Sequence, residues 1–124
     1  MKSTFIETTG FTDSLSDFMN DLDFADLQRD LMANPDSGDV MPGCGGMRKV
    51  RTTDSKRGKG KRGGARVIYL HVPDAKRFYL LDIYGKNEKD DLSAEAKKLL
   101  RKAAEEFKRQ AIAALGRRLK ENGS

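Results

Sequence analysis

The sequence predicts an α+β domain, a small and mostly antiparallel sheet in the order β-α-α-β-β-β-α, flanked by an N-terminal helical hairpin and a long C-terminal helix. Three observations predict it. Ala65 to Val72 and Phe78 to Tyr84 are β-branched and aromatic runs separated only by Pro73-Asp74-Ala75-Lys76, the spacing of a hairpin. From Ser93 to about Glu121, Ala96, Leu99, Leu100, Ala103, Phe107, Ala111, Ala114, Leu115 and Leu119 recur at the spacing of one long amphipathic helix. Ahead of these, two short helical patterns stop at Asn34-Pro35, because the residue before proline avoids the helical region.

The elements follow in order. Ser3 to Thr8 is short, β-branched and aromatic and halts at Gly10, which suits an opening strand. Leu15, Phe18, Met19 and Leu22 set a first helix over Thr12 to Asn20, with Thr12 or Asp13 as N-cap. A second helix from about Asp23 turns Phe24, Leu27, Leu31 and Met32 inward. Residues 35 to 46 hold too much Gly and Pro for a regular element and read as a long loop. Met47 to Thr52 alternates, placing Lys49 and Arg51 on one strand face and Arg48, Val50 and Thr52 on the other. Thr53 to Gly64 is a glycine-rich basic loop. Phe78 to Tyr84 is apolar on both faces and is expected at the centre of the sheet, covered by helix. Ser93 can cap the last helix, with Asp90, Asp91 and Glu95 at its positive end, and the turns past Gly116 are expected to fray or project.

A chain of 124 residues supports one modest core. A single cysteine, Cys44, excludes an internal disulfide and a cysteine-based zinc site; flanked by glycines, it reads as exposed but without a role. No signal peptide or membrane span is legible, so the chain reads as cytoplasmic, with no membrane partner. The net charge is +5, and it is unevenly spread: residues 1 to 39 are acidic on balance, and everything from Arg48 onward is basic.

The basic character peaks between Arg48 and Arg66, where Arg48, Lys49, Arg51, Lys56, Arg57, Lys59, Lys61, Arg62 and Arg66 surround one acid, Asp54. Such a surface faces a polyanion, and RNA is the first candidate. Gly58-Lys59-Gly60-Lys61-Arg62-Gly63 matches G-x-G-x-x-G, yet it opens a strand instead of following one and carries cations where a dinucleotide turn is neutral. No phosphate-binding Gly-Lys-Ser/Thr is present, and no cofactor is indicated. A solvated charge run or a localisation signal is the plain alternative for the loop. It does not account for Lys49, Arg51 and Arg66, cations placed on strands, and rigid placement is what a reacting phosphate requires. His71 reads as a strand histidine with one wet edge, with a catalytic base as the alternative. Tyr84, Lys86 and Asn87 close the central strand, where an aromatic ring beside cations can stack on a base and hold its phosphate. A ring that simply caps the core is the alternative for Tyr84.

Four ordered strings carry a resemblance: Asn34-Pro35-Asp36-Ser37-Gly38-Asp39-Val40, Gly45-Gly46-Met47-Arg48-Lys49-Val50-Arg51, Gly58 to Gly64 with Arg66-Val67-Ile68-Tyr69, and Leu80-Leu81-Asp82-Ile83-Tyr84-Gly85-Lys86-Asn87 continuing to Leu92. Together they resemble the HigB branch of the RelE-like toxins of bacterial toxin–antitoxin modules, from Phe5 to about Phe107. The resemblance implies a toxin domain over residues 1 to 107, with residues 108 to 124 as a helical extension and polar tail. It further implies a metal-independent, ribosome-dependent endoribonuclease that cuts mRNA in the A site of the 70S ribosome. A cognate antitoxin of the HigA kind, with a DNA-binding domain, would hold it inactive. The positions that match the family's catalytic set are Arg66, Lys49, Arg51, Lys86 and Tyr84. Arg48, Lys56, Arg57, Lys59, Lys61, Arg62 and Asn87 would grip RNA and ribosome, Asn87 standing where many relatives carry arginine.

RNA supplies its own nucleophile, so such an enzyme need only assist attack of the 2′-hydroxyl, stabilise the added negative charge and protonate the leaving 5′-oxygen. Arg66 is expected to clamp the phosphate, Lys49 or Lys86 to act as base or acid, and Tyr84 to stack or donate a proton. Two other readings use the same residues differently. A non-catalytic RNA- or DNA-binding module needs the cations without an aligned acid and base. An interaction protein would dock its long C-terminal helix in a partner's groove.

Overall fold

The computed structural model describes residues 2–58, 64–86 and 92–122. Among the described residues the chain is α+β, with a five-stranded mixed sheet and three α-helices, the last of them long and C-terminal. The elements are β1 (Thr4–Glu7), α1 (Thr9–Leu15), α2 (Asp21–Ala33), β2 (Asp39–Val40), β3 (Arg48–Thr52), β4 (Ala65–Val72), β5 (Arg77–Gly85) and α3 (Ala94–Asn122), with short 3-10 turns at Ser55–Arg57 and Pro73–Ala75. The sheet order is β1-β5-β4-β3-β2. Only β1 runs parallel to its neighbour, and β5 lies between β1 and β4 as its two-sided apolar pattern requires. No helix among the described residues is long and apolar enough to cross a membrane.

The two sheet faces are covered differently. On one, α1 and α2 close a core of Phe11, Leu27, Leu31, Val67, Tyr69, Phe78 and Leu80, with Phe5 stacked on Phe78 at 4.7 Å. On the other, α3 covers Ile68, Leu70 and Tyr79, and the Tyr79 and Phe107 rings stack at 4.5 Å.

The first helix starts earlier than its apolar spacing suggests. Thr8 caps it, its hydroxyl accepting the Phe11 amide at 3.2 Å, and Phe11 is fully buried. Phe11 was absent from the expected stripe, and counting it moves the helix back by three residues. The chain then breaks before Asn20, whose side chain accepts the Asp23 amide and caps α2. Leu22, expected to face the core from the first helix, is instead 78% exposed on α2.

The segment read as a long open loop is packed. Asp39 and Val40 pair with Lys49 and Arg48, adding a two-residue strand to the sheet edge. Beyond it Met41, Cys44 and Met47 turn inward against α3, so Cys44 is buried and not exposed, with its thiol 3.5 Å from the Pro42 carbonyl. Gly45 makes this possible: at φ +70 a β-carbon there would sit 2.8 Å from that of Ala104. Lys108 closes the contact, donating to the Gly45 carbonyl at 2.7 Å.

Ser93 caps α3, as expected, by accepting the Ala96 amide at 3.1 Å. The helix passes residue 107 without a break, and Ala111 and Leu115 beyond it pack into the α3-side core. Gly116 does not interrupt it, and its last turns are exposed. Leu99 and Leu119, counted in the apolar stripe, are 64% and 62% exposed: Leu99 lines a cleft beside Ile68 and Leu81, and Leu119 lies in the exposed last turns of the helix. At 29 residues the helix measures about 44 Å.

Candidate functional site

Register brings the strand-borne cations together. In antiparallel pairing, directly opposed residues share a face. Arg51 faces Arg66, and Arg66 faces Tyr84, so these three form one row across β3, β4 and β5. The next row on that face is Lys49, Ile68 and Asp82. Both rows lie on the α3 side, as Ile68 and Tyr84 belong to the core that α3 covers.

The alignment of Tyr84 with Arg66 depends on an irregularity in β5. Pairing shifts between Ile68 and Tyr69: Tyr69 opposes Leu80, and Ile68 opposes Asp82, so Leu81 is an extra residue. Thr8 anchors it. Its hydroxyl donates to the Leu81 carbonyl at 2.9 Å, and its amide donates to the Leu80 carbonyl at 3.0 Å. If the same residues paired without the bulge, Arg66 would oppose Ile83, and Asp82 would oppose Val67 in the closed core.

α3 begins beside the second row and runs away from the first. Its early residues Ala96, Leu99 and Leu100 line a cleft with Ile68, Leu81 and Asp82, whereas its later residues reach the Pro73–Ala75 turn at the opposite end of the sheet. Arg51 is exposed, and Lys49 and Arg66 are half-buried. Arg66 donates to the Ala65 carbonyl at 3.3 Å. Lys86 follows β5 and is exposed, its amide bonded to the Gly64 carbonyl at 3.2 Å.

Not every expected residue joins this group. Arg48 turns to the opposite face, where its guanidinium donates to the Gly38 and Asp36 carbonyls at 2.8 and 3.3 Å and lies 3.5 Å from the Asp36 carboxylate. It ties the chain before β2 to the sheet. Tyr84 is 5% exposed, its ring packed in the α3-side core, which leaves no open face for stacking on a base. Lys56 is exposed in the Ser55–Arg57 turn, and its amide is bonded to the Phe18 carbonyl, so it is held beside the N-terminal helices. Arg57 closes the same turn. Lys59, Lys61, Arg62 and Asn87 lie outside the described residues.

His71 stands across the sheet from the cations, stacked on Phe78 at 4.4 Å. Burial holds its pKa below the ordinary 6.5, with Asp36 pulling the other way and Arg48 reinforcing the shift. It is a wall residue with one wet edge.

One residue of the site was not singled out from sequence. Lys97, in the first turns of α3, lines a cleft with Lys49 and Leu92. Its signal was its position at the margin of the Ala96–Leu100 stripe. Which strand that margin faces is a tertiary fact that periodicity does not contain.

No protein-family model matches the chain.

Proposed function

We propose that this protein is the toxin of a bacterial type II toxin–antitoxin module, a cytoplasmic endoribonuclease that cuts mRNA in the A site of the ribosome and so stops translation. The observation that carries the reading is the opposition of Arg51 and Arg66 on one sheet face, with Lys49 one row away, beyond the start of α3. Cations fixed on paired strands can hold a phosphate without reorganising during reaction. The resemblance to HigB and RelE-like toxins, carried by the four sequence strings, supplies the substrate and the ribosome.

The residues divide the work as follows. Arg66, stiffened by its contact with the strand backbone, and Arg51 opposite it grip the non-bridging oxygens of the scissile phosphate, where negative charge accumulates. The 2′-hydroxyl oxygen attacks phosphorus, and its proton passes to a lysine amine. The bond to the 5′-oxygen breaks, and that oxygen takes a proton from a lysine ammonium. The products are a 2′,3′-cyclic phosphate and a free 5′-hydroxyl. Lys86, beyond the end of β5, takes the first proton, and Lys49, one row inward, supplies the second from its ammonium. Arginine stays charged and is assigned to stabilisation. Tyr84 supports Arg66 from the next strand. A HigA-like antitoxin would silence the enzyme by covering this row or barring access to the ribosome.

Mapping mRNA 5′ ends by primer extension tests the reading, with purified protein added to a translating extract beside the same mRNA without ribosomes. In-frame cuts only in the presence of ribosomes are expected. Intact mRNA in both reactions would overturn the reading in favour of a non-catalytic RNA-binding module.

A further inference from the structure

Between the start of α3 and the sheet lie two clefts that share Leu92 as a common wall. The first, about 310 Å³, is lined by Lys49 from β3 and Lys97 from α3, with Asp39 as the acid among its lining residues. Asp39 is register-paired with Lys49. The second, about 340 Å³, is lined by Ile68, Leu81, Leu92, Leu99 and Leu100, with Asp82 on its wall. That size lies at the small end of the range of about 300–1,000 Å³ for small-ligand sites. A cationic recess and an apolar recess separated by one side chain match the two halves of a nucleotide, a charged phosphate and a flat base that gains by leaving water.

We infer that these paired clefts form a nucleotide subsite for single-stranded RNA, with Lys49 and Lys97 holding a phosphate and the Leu92–Leu99 recess taking the attached base. The inference rests on the proposed cleavage reaction and deepens it. Successive rows on one face of a strand are about 6.6–6.8 Å apart, a step that an extended RNA strand can match from one phosphate to the next. A strand with its scissile phosphate on Arg51 and Arg66 therefore places a neighbouring phosphate over Lys49. Lys97 meets it there from the helix. The first turn of α3, with its positive dipole end, adds to the preference for an anion. Two lysines against Asp39 leave the recess net positive, and Asp39 tempers its affinity. Lys97 is a binding residue here and takes no part in the bond changes. Leu99, 64% exposed at the mouth of the apolar recess, is an exposed leucine with an occupant: the face of a base.

Three variants at surface positions test the subsite: Lys97→Glu, Leu99→Ser and Asp39→Asn. Two readouts are used on the purified full-length chain. One is single-turnover cleavage on ribosomes programmed with a set of A-site codons. The other is retention of a fluorescent 2′-O-methyl hexaribonucleotide, which lacks the attacking hydroxyl and cannot be cut. Lys97→Glu is expected to raise the half-saturating concentration about tenfold and Asp39→Asn to lower it. The companion change Lys97→Ala should reduce the salt slope of hexamer binding by about 0.7, the loss of one single-strand phosphate contact. Leu99→Ser should change the ranking of codons cut. If the wild type cleaves and Arg66→Ala does not, yet all these variants match wild type in both readouts, the subsite is wrong and the proposed function stands. If the wild type does not cleave but the hexamer is retained and weakened by Lys97→Glu, the subsite stands and the nuclease reading fails. A wild-type chain that neither cleaves nor retains the hexamer overturns both. A pattern in which Lys97→Glu and Leu99→Ser weaken only capture of an acidic protein overturns the subsite alone and would make the clefts a protein-docking groove.

Discussion

The two faces of the sheet are built from the same strands and end as opposites. The face under α1 and α2 is shut: Phe11, Tyr69, Phe78 and Leu80 are fully buried, and its aromatic rings stack in a chain from Phe5 through Phe78 to His71. Among the described residues, the face under α3 is covered less completely. A single helix crosses it, and beyond the helix start the strands present Arg51 and Arg66 in place of apolar side chains. The difference shows how alternation partitions labour within one strand. Val50 and Val67 look into the closed core, and Lys49, Arg51 and Arg66 look the other way. Stability and charge display are then separable by residue parity, and mutations should separate them too.

The largest effect on stability belongs to the closed face. Phe78→Ala removes a ring stacked on both sides, and chemical denaturation should show a loss of about 3–5 kcal/mol. The matching change on the open face, Arg66→Ala, should leave the denaturation midpoint nearly unchanged while lowering single-turnover cleavage by about 10²–10³-fold. Wild-type cleavage by this variant would remove Arg66 from the mechanism. If the same variant also lost stability on the scale of Phe78→Ala, the distinction between the faces would collapse.

Gly45→Ala probes the packed loop at the edge of the open face. A β-carbon 2.8 Å from that of Ala104, at a positive φ, should cost about 1–3 kcal/mol and loosen the loop from α3. Thermal unfolding would register the first, and faster amide exchange at residues 41–47 the second. Thr8→Ala reaches both faces at once. It removes the α1 cap, at about 1 kcal/mol, and the hydroxyl that holds the Leu81 carbonyl, so a fall in cleavage beyond what the stability change explains is expected. Loss of stability alone would confine Thr8 to its capping role.

The smallest effect concerns His71. Its folded-state pKa lies below 6.5, mainly through burial, so the unfolded chain binds the extra proton more readily. Its contribution is intact above pH 6.5 and is lost as pH falls through the folded value. His71→Phe should therefore flatten the fall in urea midpoint between about pH 7 and about pH 5. An unaltered pH profile would assign that fall to other groups.

Much of this was legible before any coordinates. Strand alternation placed Lys49 and Arg51 opposite Val50, and the β4–β5 hairpin and the Ser93 cap follow from turn and capping chemistry. What was not legible required partners distant in sequence. Phe11 was passed over because the stripe was counted from Leu15. Cys44 looked exposed because glycines flank it, yet those glycines allow the close approach that buries it against α3. Leu119 fits the apolar period but not the core, since period alone does not reveal where the sheet ends. Lys97 became part of the site only when α3 was laid beside β3.

The extra residue at Leu81 acts in three dimensions as an inserted base does in a message. Downstream of it, every side chain of β5 trades inside for outside, so Asp82 is spared burial among hydrocarbons and Tyr84 arrives beside Arg66. Deleting that one residue would only close the bulge, leaving Asp82 opposite Ile68 and Tyr84 opposite Arg66, whereas adding or removing one residue between Asp82 and Tyr84 would turn the side chains beyond it to the wrong face. Away from the bulge residue itself, insertions and deletions in this short stretch should therefore be tolerated far less than substitutions, and tolerated best in pairs that restore the phase.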